Sequence, residues 1–411
     1  MVSGFDGLDR ATLARVVPEL LLCGHLIDRS GMAHCLGAFG RPGMTEVAVA
    51  EWQVASPVYT RRMRRALRIE GDGVDTIFKG LQLDIGAPPQ FMDFRYRVED
   101  HDHGEFWLDH CGALLDVEPM GPEFVIAMCH DMEDPTFDAT ALATNPHARV
   151  RPIHRPPRTP ADRHPMCAWT VVIDPAHEPP PVPENAAVVA NSVAARLELP
   201  DIDPAEEGLS DYAGPLLSDL RFPDFSKSAL VRLADEVCLQ HHLLTLGFLL
   251  AVRARTDRAA EIGRKQFAGI AGITSERLRA ALDLGDGPGD LATVLGVHPA
   301  WNPVAYTGIE VSHTADTVSL RLPRSSGAIT DGVWPSLVDA GHPAPLEAMV
   351  RGVNPRAYLR AVEADRSGWT VEIAYAAEPF PEVAEVAITR FSKGAGFAFA
   401  DRGTPLPLTV V

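Results

Sequence analysis

The sequence predicts an α+β fold made twice: a tandem duplication of a helical-plus-antiparallel-sheet domain, the copies packed as a pseudo-dimer. Three observations predict it. Long stretches carry apolar residues at helical spacing, and short ones alternate apolar and polar residues as strands do. The third observation is that the second half repeats the first. An offset of 215 residues sets Ala66-Leu67 on Ala281-Leu282, Asp75 on Asp290, Pro88 on Pro303, Gly112-Ala113 on Gly327-Ala328 and Asp116 on Asp331, without a gap. A fixed offset marks duplicated units, and two copies of one fold pack about a twofold-like axis.

Residues 9–39 read as one helix and part of another, with Asp9 as N-cap and Leu13, Val16, Val17, Leu20 and Leu21 as the buried stripe near His25. A further helical stretch, 44–68, ends in Arg61-Arg62-Met63-Arg64-Arg65, either a salt-bridged surface or a clamp for a small carboxylate or phosphate. Gly71-Asp72-Gly73 turns the chain, Asp75 to Leu83 forms a short helix, and Pro88-Pro89 stops it. Phe91 to Val98 alternates with period two, and Glu105-Phe106-Trp107-Leu108 answers it across a turn holding His101 and His103, which predicts a β-hairpin. Residues 145–166 are rich in Pro and Arg and predict an extended loop. Cys167 to Ile173 is a closing strand, and the run from His177 to Glu184 is a stiff linker. The expected organisation is a site-bearing domain over 1–176, a Pro-rich linker over 177–187 and a degenerate second copy over 188–411. In that copy Tyr306 to His313 repeats the hairpin and Trp369 to Ile373 the closing strand.

Composition narrows the function. With 46 % apolar and 22 % charged residues the chain can bury a sizeable core. A formal charge of −18 argues against nucleic acid or an anionic membrane as partner, because phosphate affinity comes from clustered Lys and Arg. The longest apolar run, Leu243 to Val252, is interrupted by Thr245 and Gly247 and is too short to span a bilayer. The N-terminus has neither the basic start nor the apolar body of a signal peptide. A soluble, cytoplasmic protein is expected, acting on a small molecule; a homo-oligomer is neither required nor excluded. Six cysteines lie far apart with no C-x-x-C pair, so reduced thiols are expected.

The densest chemistry runs from His110 to Glu133, with Cys111, Cys129 and His130 between. The second copy has Ser325-Ser326 in place of His110-Cys111. On the register that sets Asn145-Pro146 over Asn354-Pro355, His130, Glu133 and Cys129 face Asp339, His342 and Val338. Side chains that one copy keeps and the other lacks are better explained by function than by shape. On a helix His130 and Glu133 share a face; with His110 they make two imidazoles and one carboxylate, suited to catalytic zinc or to the facial triad of a non-haem iron enzyme. Cys111, Cys129 and Cys167 offer sulfur, which favours zinc, although each also reads as a small buried hydrophobe. His101 and His103 read as solvated. Glu19 and His25 recur as Glu236 and His242, compatible with contacts across the pseudo-twofold or with a contribution to the site.

The order of hairpin, Cys111, apolar stretch with Gly121, His130 and Glu133, and Cys167 leading a closing strand resembles the 4-vinyl-reductase-type ligand-binding domain and the aminothiazoline-carboxylate hydrolase family. The resemblance covers the first copy. It implies a zinc held by Cys111, Glu133 and Cys167 with His130 nearby, beside a pocket between helices and an antiparallel sheet. The stretched spacing to Cys167, and the presence of His110 and His130, depart from that pattern. Three functions follow as expectations. The first is a zinc- or iron-dependent enzyme cleaving a C–N or C–S bond by hydrolysis in a small anionic metabolite, with metal ligands His110, Cys111, His130, Glu133 and Cys167. In it Glu133 is base or ligand, and Arg155 or Arg158 holds the substrate. The second is a non-haem iron oxygenase using His110, His130 and Glu133. The third is a small-molecule binding protein with structural zinc. A metal-free variant of the first uses Cys111 or Cys129 as nucleophile and His130 as base.

Overall fold

The computed structural model describes residues 3–400, 402 and 409–410. The first repeat begins with α1 (Arg10–Ala66), whose N-cap Asp9 accepts from the Thr12 amide. Gly40 breaks this helix with φ 67°, a conformation only glycine adopts readily, and Pro42 restarts it where a missing amide does no harm. The stretch 9–39 is therefore a single helical arm rather than one helix and part of another, and 44–68 is the second arm. Then follow α2 (Val74–Leu81), β1 (Met92–Val98), β2 (His103–Cys111), α3 (Gly112–Val117), α4 (Pro122–Ile126), a π-turn (Ala127–Met132), α5 (Glu133–Leu142), β3 (Ala148–His154) and β4 (Cys167–Ile173). Two short helices, α6 (Ala186–Ala190) and α7 (Val193–Arg196), lead to the second repeat.

The second repeat contains α8 (Lys227–Arg253), α9 (Ala259–Ala281), α10 (Pro288–Val297), α11 (Val304–Thr307), β5 (Glu310–His313), β6 (Val318–Pro323), α12 (Gly327–Asp331), α13 (Ala344–Val353), β7 (Ala357–Ala364), β8 (Gly368–Tyr375) and α14 (Ala384–Thr389), before a final strand, β9 (Thr409–Val410). The sheets have one topology. Sheet one runs β3-β4-β2-β1, with β9 added parallel to β1, and sheet two runs β7-β8-β6-β5. No helix among the described residues is long and apolar enough to cross a membrane.

One expectation is corrected. Residues 145–166 are not all loop, because 148–154 form β3 despite Pro152. Proline removes an amide that a central strand would need, and β3 lies at the sheet edge, where it is tolerated.

The repeats meet through their long helices. Residues 20–27 of α1 and 233–249 of α8 are buried on every side, the pattern of helices inside a core. Their backbones approach closely, since a Cβ on Gly24 would lie 2.4 Å from Ile85 Cγ2 and 2.8 Å from His241 Nε2. Reciprocal ion pairs cross the pseudo-twofold: Arg62 donates to both oxygens of Glu236 at 2.9 and 3.0 Å, and Arg277 to Glu19 at 2.6 Å. Each repeat also sends a trailing arm onto the other. The first arm is held by Arg62 at the carbonyls of Ala195 and Leu197 and by Asp331 at the amides of Val193 and Ala194. The second is held by Arg277 at the carbonyls of Gly394, Ala395 and Phe397 and by Asp116 at Ser392 and Lys393. Glu19, Glu236 and Arg62 therefore join the halves, and Arg62 is no part of a surface cluster.

Candidate active site

In the first repeat a cavity of about 110 Å³ lies between the two arms of α1, the loop after α2, β1 and the α4–α5 segment. Its wall is made by His25, Asp28 and Arg29 from the first arm of α1, Trp52 from the second, Asp84 after α2, Met92 and Phe94 from β1, and Met128, Met132 and Glu133 from the π-turn and α5. π-Turns recur at functional sites. The sequence supplies polar groups here on a helix that is otherwise apolar inside, and such groups normally find partners.

Several do not. Among the described residues, both ring nitrogens of His25, Asp28 Oδ1, Arg29 Nε, both oxygens of Glu51, Asp84 Oδ2 and Glu133 Oε2 are sealed from solvent without a hydrogen-bond partner. The other atoms of these groups are anchored. Trp52 Nε1 donates to Asp28 Oδ2 at 2.9 Å, and Tyr59 Oη and the Gly86 amide donate to Asp84 Oδ1 at 2.9 and 2.7 Å. Burial pushes the Glu133 carboxyl up to about 8, with Arg155 pulling it down and Asp134 up. It raises Asp84 to about 6, against the opposing pull of the Gly86 amide and Tyr59. Burial, then the adjoining Asp28 carboxyl, holds Glu51 well above the carboxylate range. Burial, and next the Arg29 charge, takes His25 down to about 3, so its ring is neutral. Neutral or proton-holding groups of this kind gather where chemistry is done.

At the corresponding place in the second repeat large side chains are packed. On the 215-residue offset Gly86, at the cavity wall, corresponds to Trp301, Glu51 to Gln266 and Trp52 to Phe267. Trp301 is fully buried, Phe267 stacks on Trp334 at 5.0 Å, and Trp334 Nε1 donates to Gln266 Oε1. In the first arm of α1 the offset is 217, and there Asp28 and Arg29 correspond to Thr245 and Leu246. His25 corresponds to His242, which instead donates to the Asn302 carbonyl at 2.9 Å.

The expected site residues divide. Glu133 lines the cavity, and the thiols of Cys111, Cys129 and Cys167 are buried close enough to it and to one another for each charge to act on the rest. Burial raises all three thiols, Cys111 to about 12. Cys111 caps α3, its sulfur accepting from the Leu114 amide at 3.3 Å, and Ser326 caps α12 in the same place. The exchange of Cys111 for Ser326 thus keeps a cap.

The histidines lie elsewhere. His110 Nδ1 donates to the Phe91 carbonyl at 2.9 Å, and His130 Nε2 to that of Pro156 at 2.7 Å. His130 and Glu133 diverge because the π-turn takes more residues per turn than an α-helix, so a spacing of three no longer shares a face. Arg155 pairs with Asp134 at 2.5 Å over the Trp169 ring, and Arg158 grips Glu118 through both oxygens; neither arginine lines the cavity. Among the described residues no three His, Cys, Asp or Glu side chains are arranged to hold a metal ion. The ligand set of His110, Cys111, His130, Glu133 and Cys167 therefore does not fit a single ion in this arrangement. No family model, no curated protein and no solved structure matches the chain.

Proposed function

We propose that the chain is a hydrolase of a small polar metabolite, cleaving a C–N or C–S bond in the cavity of the first repeat. The observation that carries this reading is the convergence of unpartnered, sealed acid–base atoms from His25, Asp84 and Glu133 on one small cavity. Two carboxyls whose surroundings push them to different values divide into base and acid. Asp84, ionised at neutral pH, takes the proton of a water attacking the scissile carbon. Glu133, still protonated, delivers one to the departing nitrogen or sulfur. The neutral His25 ring orients the water or the substrate. No step is routed through a metal, because the expected donors do not converge.

The test incubates purified protein with a small-molecule extract in ¹⁸O-labelled water and follows it by mass spectrometry. A metabolite should disappear while its product gains one label, and Glu133→Gln and Asp84→Asn should each reduce the rate at least a hundredfold, within the usual range for general acid–base groups, about 10² to 10⁴. Unchanged consumption in both variants overturns the assignment. No observation favours the iron oxygenase, whose His110 and His130 donate to carbonyls.

A further inference from the structure

We propose that residues 122–132 form a lid on this cavity, hinged at Gly121 and where the π-turn joins α5, and latched by His130 on the Pro156 carbonyl. This deepens the hydrolase reading, and rests on it in taking the cavity as the substrate site. It also gives work to His130, Arg155 and Arg158, which the chemistry of the cavity leaves unused. The need for a moving part is geometric. The unpartnered atoms of His25, Asp84 and Glu133 are closed to solvent. No atom of a substrate reaches them unless part of the wall gives way.

Most of the wall is tied down. The first arm of α1 is buried on every side over residues 20–27, and Trp52 and Ser56 of the second arm bond Asp28 and Thr140. The loop carrying Asp84 is fastened to α8, where Gln240 accepts from the Ile85 amide at 3.1 Å and donates to the Leu83 carbonyl at 2.9 Å. β1 is paired with β2, and α5 is held by Asp138, which accepts from the Val150 amide and from Arg151. The remaining wall, Met128 and Met132, comes from residues 122–132, whose outer side meets solvent at Glu123, Ile126 and Asp131.

The two ends of this segment suit a hinge, since lids pivot on a few element-terminal residues that absorb the backbone change. Gly121 has φ 115°, which other residues rarely adopt, and a Cβ there would lie 2.9 Å from the Glu123 carboxyl. The other end is the π-turn, whose wide turns depart from regular α-helical bonding. Just outside each end stands a post. Arg158 grips Glu118 through both oxygens before Gly121, and Arg155 pairs with Asp134 after the π-turn. Between these posts the same loop presents the Pro156 carbonyl, to which His130 Nε2 donates at 2.7 Å. Two further side-chain contacts to the segment are long: Arg41 to the Glu123 carbonyl at 3.3 Å and Arg29 to the Met128 sulfur at 3.9 Å. One short bond between fixed posts holds the lid shut and is cheap to release.

The chain carries its own reporter. Cys129 sits in the lid with its thiol buried, whereas Cys23 in α1 and Cys238 in α8 are fully buried at the core of the molecule. The full chain is pulsed with N-ethylmaleimide in native buffer, and the modified cysteines are identified by peptide mass spectrometry. Cys129 should label on the order of tenfold or more faster than Cys23 and Cys238, because local opening is easier than global unfolding. His130→Ala should speed Cys129 by about three- to tenfold, the worth of one hydrogen bond, and leave the other two unchanged. Equal labelling of all three in the wild type overturns the lid, as does a Cys129 rate indifferent to His130→Ala. An equal rise at all three sites in the variant would make the bond a global brace and overturns the latch. The two readings fail separately. Early labelling of Cys129 in a protein that yields no ¹⁸O-labelled product sinks only the hydrolase. Turnover that depends on Glu133, in a protein whose Cys129 opens no sooner than Cys23, sinks only the lid.

Discussion

At the scale of the residue, Glu133 shows how burial turns an ordinary carboxyl into a proton carrier. The folded chain holds its proton up to about 8, whereas the unfolded chain releases it near the ordinary 4.5. The stabilisation from a raised carboxyl is full below the unfolded value and is lost as pH rises through the folded one. Glu133→Gln has no proton to lose and should remove that slope. Between pH 6 and 8 the wild type should lose about 2 kcal/mol relative to the variant, read by urea unfolding at each pH. Parallel stability curves would mean that Glu133 is not sealed. His25, His241 and His298, each taken down to about 3 by burial, act in the opposite sense: their stabilisation is present above pH 6.5 and is lost as pH falls. Of these residues the sequence singled out Glu133 by its place in a dense motif, and His25 by its recurrence as His242. Asp28, Arg29, Glu51 and Asp84 escaped notice because each is one acid or base in a stretch read for apolar periodicity. The signal was present, since laying the second copy over α1 shows Thr245, Leu246 and Gln266 where the first has charge.

At the scale of the element, the period-two hairpin, the short helix after Gly73 and the closing strand were legible because local pattern decides them. The strand β3 was not, because Pro152 argues against a strand unless one knows that it lies at the sheet edge, and strand order is a property of the whole sheet. The π-turn was illegible too, since nothing in the local pattern of Ala127–Met132 distinguishes it from a continuous α-helix. The crossing of α1 and α8 is decided by glycine. Gly24 is helical, a place where alanine ordinarily stabilises by roughly 0.5–1 kcal/mol. Here the added Cβ would meet Ile85 and His241 at 2.4 and 2.8 Å, inside contact distance and with both neighbours fully buried or nearly so. Overpacking should outweigh propensity, and Gly24→Ala is expected to destabilise by about 1–3 kcal/mol in chemical denaturation. Stabilisation by this change would show that the helices have room to separate.

At the scale of the whole molecule, the duplication is also an exchange, because each half is completed by the arm of the other. Its anchors are related by the pseudo-twofold yet differ in surroundings, which makes the two locks unequal. Glu236 is held by Arg62 and also by Arg232, whose Nε donates to Glu236 Oε1 at 3.1 Å. Glu19 is held by Arg277, and burial already raises its carboxyl above the ordinary range, with Arg277 opposing that rise. Removing one partner of a buried pair typically costs about 3–5 kcal/mol, because the remaining charge is left uncompensated. Arg277→Met strands Glu19 and frees three arm carbonyls, so its loss should lie near the top of that range. Arg62→Met leaves Arg232 on Glu236 and frees two carbonyls, so its loss should be smaller. Urea unfolding of both variants gives the order directly, and the reverse order would mean that the arms, not the ion pairs, dominate the joint. The consequence reaches the cavity, because the arm held by Arg277 places Phe397 against Phe91 at 5.3 Å, and Phe91 in turn packs edge-on against His25 at 5.4 Å. Loosening Arg277 should therefore weaken ligand binding in the first repeat by more than the equivalent change at Arg62, even though neither arginine touches the cavity.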